Sequence, residues 1–174
     1  RLTTAALLFR LFLPTCGEFV EMRFDRIMEA VRRGEVDAGV IIHESRFTYA
    51  EQGLVCLQDL GQWWEDVSGQ PIPLGCIVAR RSLGRDKLER IDQAIAASVE
   101  YAFASPAACL PYIREHSQET AAEVVQSHIE LYVNAFSRDL GAEGMAAIEA
   151  FLSRGRQSGV LPGAAALPVF RSLL

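Results

Sequence analysis

VDAGVIIHESRFTY, residues 36–49, contains a continuous apolar run that leads directly into polar residues. A short apolar run bounded by charge and glycine is typical of a fully buried strand in a parallel sheet, which predicts a strand over Val36–Ile42. His43 follows this strand without an intervening loop. In open α/β sheets the ligand crevice lies outside the carboxyl ends of the strands. We therefore expect His43 at the rim of a ligand crevice.

A strand and a helix are predicted immediately before this run. Phe19–Met22 is a candidate for a short strand. Asp25 is expected to cap the helix that follows and Gly34 to end it. The apolar face of this helix has helical spacing and consists of Phe24, Ile27, Met28 and Val31. The order strand, helix, strand predicts a right-handed βαβ unit and an α/β fold.

The first helix of the chain is apolar on most of its surface and ends at Pro14. Thr3 or Thr4 can cap it. A helix N-terminus offers free N–H groups and the positive end of the dipole, which suit a carboxylate or a phosphate. The alternative is that the two threonines only cap a buried helix.

A further helix is predicted to start at Asp59 and to end near Gly69. It carries Trp63 and Trp64, which as neighbours point roughly 100° apart on a helix and cannot share one face. We expect one of them to pack inward and the other to cover the crevice or a neighbouring element.

The later part of the chain changes from strands to helices. Leu54–Leu57 and Cys76–Ala79 are predicted strands, and Pro71–Gly75 between them is a rigid connector that crosses between two lobes. The helices that follow are predicted from about Leu83 to Ala104, from Pro106 onward, over about Ala121–Phe136 and over Gly141–Ser153.

Composition excludes several classes of partner. The chain has 174 residues and a net charge of −5, without a block of Lys or Arg, which argues against nucleic acid and anionic membrane surfaces. The longest apolar stretch, Ala5–Leu13, is interrupted by Arg10 and is shorter than the ~20 residues that span a bilayer. It also lacks the features of a signal peptide. The chain starts at Arg1, and we expect it to be a fragment without its N-terminal part.

The four cysteines show no metal-binding spacing, which suits reduced, buried thiols in a cytoplasmic protein. Among the three histidines, His116 lies in a polar stretch and His128 on a helix stripe, and both positions are typical of structural residues. An imidazole at the end of a buried strand can stay neutral and act as a base near neutral pH, which favours His43. Glu44 and Arg46 could orient His43, bind an anion or be ordinary loop charges.

Five strings in the chain together resemble one enzyme family. They are TTAALL at Thr3–Leu8, FDRIMEAVRRGEVDAGVIIHESRFTY at Phe24–Tyr49, DLGQWWE at Asp59–Glu65, PIPLG at Pro71–Gly75 and YVNAFS at Tyr132–Ser137. The resemblance is to 1,4-dihydroxy-6-naphthoate synthase of the futalosine route of menaquinone biosynthesis, and it covers nearly the whole chain.

The resemblance implies an α/β, two-lobed fold like that of periplasmic binding proteins, in a cytoplasmic enzyme. Most of the first lobe would be missing from this chain. Residues 1–73 would form the second α/β lobe, which carries the site residues, and residues 74–174 would form the crossing strand and the helical part of the first lobe. A fragment of this kind is expected to be inactive alone.

The resemblance also implies an activity and its site. The family is a carbon–carbon lyase without a metal or redox cofactor, and it converts cyclic dehypoxanthinyl futalosine to 1,4-dihydroxy-6-naphthoate. The family pattern places its proton-accepting histidine at His43 and its substrate contacts at Thr4 and Ala5. The partner would be a small carboxylate substrate, and a homo-oligomer is left open.

Two alternatives accompany this interpretation. The sister enzyme of the pathway, chorismate dehydratase, shares the fold, but the IIHE string that contains His43 favours the synthase. A ligand-binding module of the same fold, which binds a small carboxylate without catalysis, would need no base at the strand end.

Overall fold

The computed structural model describes residues 3–42, 45–117 and 121–163. These residues are mostly helical. The α-helices are α1 Thr4–Phe12, α2 Ile27–Arg32, α3 Ser45–Thr48, α4 Leu60–Ser68, α5 Arg85–Ala104, α6 Pro106–His116, α7 Ala122–Tyr132, α8 Ala135–Arg138 and α9 Gly141–Gln157. Short 3-10 helices cover Phe24–Arg26, Tyr49–Gln52 and Arg81–Leu83.

Contacts divide the described residues into two compact units. The first consists of residues 3–73 and 147–163, and the second of residues 74–146. Helix α9 therefore contributes residues 141–146 to the second unit and residues 147–157 to the first. The assignment of the chain to two lobes of a larger fold stays a prediction.

The cap signals located most helices correctly. Asp59 caps α4 through its side chain, and Gly69 closes that helix with a φ of +65°. The predicted start of α6 at Pro106 and end of α5 at Ala104 are also confirmed.

Two helix predictions need correction. Asp25 does not cap α2, because its carboxylate accepts hydrogen bonds from the Arg23 guanidinium at 3.0 and 3.1 Å instead. The single helix expected over Ala121–Phe136 is two helices, since Asn134 interrupts it and caps α8 with its own side chain.

The four predicted strands are wrong for the described structure, in which no residue belongs to a strand. The run over Val36–Ile42 has no ladder partner there, and its apolar residues Val36, Val40, Ile41 and Ile42 are half-buried rather than fully buried. Val55 and Leu57 are 79% and 80% exposed. A strand is stabilised by a neighbouring strand, and a local apolar pattern cannot supply that neighbour. The α/β class therefore stays a prediction.

The buried hydrophobic residues of the described structure all lie in the first unit. Leu7 and Leu8 of α1 form a cluster with Trp64 of α4 and Phe151 of α9. The Trp64 and Phe151 rings meet edge to face, with centroids 5.0 Å apart. Trp63 packs in the same way on Phe12 of α1, at 5.5 Å. The expectation that one tryptophan packs inward and the other covers a neighbouring element is confirmed.

Gly39 fixes the apolar run before His43 against helix α2. A Cβ at position 39 would overlap the Ile27 Cγ2 atom and would lie 3.3 Å from Val31 Cγ2. Ile27 and Val31 are β-branched and sit on a helix, so their side chains have little freedom to move away. The close approach of the chain to α2 therefore requires glycine at this position.

We expect Gly39→Ala to lower the free energy of unfolding by about 1–3 kcal/mol, because the added methyl overpacks the contact with α2. Urea unfolding followed by tryptophan fluorescence measures it, since both tryptophans lie in the first unit. Gly17→Ala is the matched control, because a Cβ there meets nothing within 4 Å. Equal unfolding free energies for the two variants would contradict the close approach.

Candidate functional site

The N-terminus of helix α1 presents backbone donors. Thr3 caps the helix, and its hydroxyl accepts a hydrogen bond from the Ala6 N–H at 3.1 Å. The Leu7 N–H donates to the Thr3 carbonyl, also at 3.1 Å. Within the part of the chain that the structure describes, no acceptor pairs with the N–H groups of Thr4 and Ala5. Unpaired donors of this kind are what an anionic group requires from a helix N-terminus.

The electrostatics of this helix end favour negative charge. The first turn of α1 contains no acidic residue, so no carboxylate of its own compensates the positive end of the helix dipole. Thr4 and Ala5 are half-buried. An anion bound there would therefore be partly removed from water, which strengthens its hydrogen bonds.

The Thr4 hydroxyl has a partner within the protein. It donates to the Pro73 carbonyl at 3.1 Å, across 69 positions of sequence. Because Ile72 packs against the hydrophobic cluster, this connector is itself held by the core. A hydroxyl has one hydrogen to donate. The hydrogen bond therefore anchors the start of α1, and it leaves the backbone N–H groups as the donors toward a ligand.

His43 and Glu44 lie outside the described residues. Ile42 before them is half-buried, and α3 begins directly after them at Ser45. The structure brings Thr4 and Ala5 together at one helix end. That His43 lies near this helix end remains a prediction.

Arg46 is already paired with a carboxylate. Its Nη2 atom lies 2.8 Å from Oδ2 of Asp59. The other oxygen of Asp59, Oδ1, accepts from the N–H groups of Gly61 and Gln62 at 2.9 and 3.2 Å. One carboxylate thus caps α4 and binds Arg46 at the same time. This pairing disfavours the interpretation of Arg46 as an anion-binding residue.

Sequence reasoning missed the role of Asp59 toward Arg46. Asp59 was recognisable as a helix cap from its position before an amphipathic helix. Its second partner lies 13 residues earlier in the chain, and no spacing rule connects the two.

The two other histidines each lie against a tyrosine ring. The His116 and Tyr112 rings have centroids 4.4 Å apart, and His128 and Tyr132 show the same separation. In each pair the two residues are one helical turn apart, so the contact is internal to one helix. This arrangement supports a structural role for both histidines.

The cysteines give no sign of a metal or a disulfide. All four are free thiols, and Cys56 and Cys76 are exposed, so the expectation that they are buried is wrong. Among the described residues, no group of three or more His, Cys, Asp or Glu side chains could hold a metal ion. None of the helices in the described ranges is both long and apolar enough to cross a bilayer.

A surface cavity of about 290 Å³ lies in the first unit, between α4 and α9. Neither Thr4 nor Ala5 lines it, so it is separate from the candidate site. Its lining residues are Trp64, Val67, Ser68, Ala150, Ser153, Arg154 and Gln157.

Comparisons with known proteins give relatives over nearly the whole chain. A 1,4-dihydroxy-6-naphthoate synthase of Streptomyces coelicolor is 50% identical over 165 residues. An enzyme of the same name from Thermus thermophilus is 48% identical over 164 residues. Each alignment covers 92% of this chain and 58% of the relative, so the chain spans little more than half the length of these curated relatives.

A solved structure and a family model also match most of the chain. Protein AF1704 from Archaeoglobus fulgidus superposes with a TM-score of 0.85 at 34% identity, over 91% of this chain and 60% of that protein. The family model described as menaquinone biosynthesis matches residues 1–157. On these matches, the chain belongs to the menaquinone biosynthesis family.

Proposed function

We propose that this chain is part of a 1,4-dihydroxy-6-naphthoate synthase, a carbon–carbon lyase that acts on cyclic dehypoxanthinyl futalosine. The observation that carries the proposal is the name shared by two relatives at 50% and 48% identity over 92% of the chain. In this proposal His43 accepts the proton that starts the reaction, and Thr4 and Ala5 bind the substrate.

The N-terminus of α1 suits the carboxylate of this substrate. The N–H groups of Thr4 and Ala5 have no acceptor among the described residues, and the first turn carries no negative charge. A carboxylate can accept one hydrogen bond from each of two adjacent backbone donors. The helix end would thus hold the substrate by its non-reacting group.

His43 is the residue proposed for the chemistry. Near neutral pH, a neutral imidazole can accept a proton from a C–H or O–H group of the substrate. Removal of one proton can start ring opening and carbon–carbon cleavage. Binding at the helix end would fix the substrate while this proton is removed, which lowers the entropic part of the barrier.

The fold and the location of the complete protein are part of the same proposal. We infer an α/β, two-lobed, periplasmic-binding-protein-like fold and a cytoplasmic location for the family-length protein, meaning this chain extended to the length of its curated relatives. The support is the resemblance of the five sequence strings to that family, since Val36–Ile42 and Cys76–Ala79 form no strand among the described residues.

We expect His43→Ala to lower kcat by at least about 100-fold in the family-length protein, because the proton acceptor is lost. Substrate binding, measured by calorimetry, should change little. His116→Ala is the matched control and should keep wild-type kcat, since that ring lies against Tyr112 within its own helix. A kcat for His43→Ala within about tenfold of wild type would overturn the assignment.

We expect Thr4→Val to raise KM about two- to tenfold with a smaller change in kcat. Valine removes the hydrogen bond to the Pro73 carbonyl and loosens the helix end that carries the backbone donors. Thr4→Ser keeps the hydroxyl and should keep the wild-type KM. Steady-state kinetics on the family-length protein measures both. An unchanged KM in Thr4→Val would mean that Thr4 stabilises the helix without a role in binding.

A further inference from the structure

We draw no further inference here: the strongest candidate, the surface cavity of about 290 Å³ that Trp64 and Arg154 line between α4 and α9, carries no proposal, because nothing among the described residues shows what would occupy or cover it.

Discussion

The first unit depends on the packing of helix α1 against α4 and α9. Leu7 and Leu8 meet Trp64 and Phe151 in one cluster, and the edge-to-face contact of the two aromatic rings lies at its centre. Gly155 allows this approach, because a Cβ there would lie 2.8 Å from Leu161 Cδ1 and 3.1 Å from Leu7 Cδ1. Burial of large side chains is the main favourable term in folding. Helix α1, which carries Thr4 and Ala5, is held by this cluster.

Local signals predicted the helices well. The cap at Asp59, the glycine at position 69 and the proline at position 106 mark helix ends, and each acts on backbone groups within one turn. The prediction of one continuous helix failed at Asn134. Its flanking residues continue an apolar stripe, but α7 ends at Tyr132 and the Asn134 side chain caps α8. The side chains of Asn134 and Ser137 form a capping box, a local signal that competes with the apolar stripe.

The strand predictions failed, because none of the described residues belongs to a strand. The run at Val36–Ile42 has the composition of a buried strand, and so does the run at Cys76–Ala79. Composition describes what a strand can bury, whereas a ladder depends on a second strand elsewhere in the chain. Ile77 and Val78 are 71% and 65% exposed, which shows that no such partner covers them among the described residues. The prediction failed at the step from local pattern to long-range pairing.

The candidate site shows the same division between local and distant contacts. Thr3 as a cap and Thr4 and Ala5 at a helix end could be read from the sequence, because a cap involves residues within one turn. The bonds that hold these groups could not, since Thr4 meets Pro73 across 69 positions and Arg46 meets Asp59 across 13. Both bonds involve parts of the chain that pack on the cluster. Pro73 follows Ile72, and Asp59 precedes helix α4, which carries Leu60 and Trp64. A binding or catalytic group needs a supporting contact on a rigid element to keep its geometry. The hydrophobic cluster thus supports both the helix end that offers the backbone donors and the carboxylate that binds Arg46.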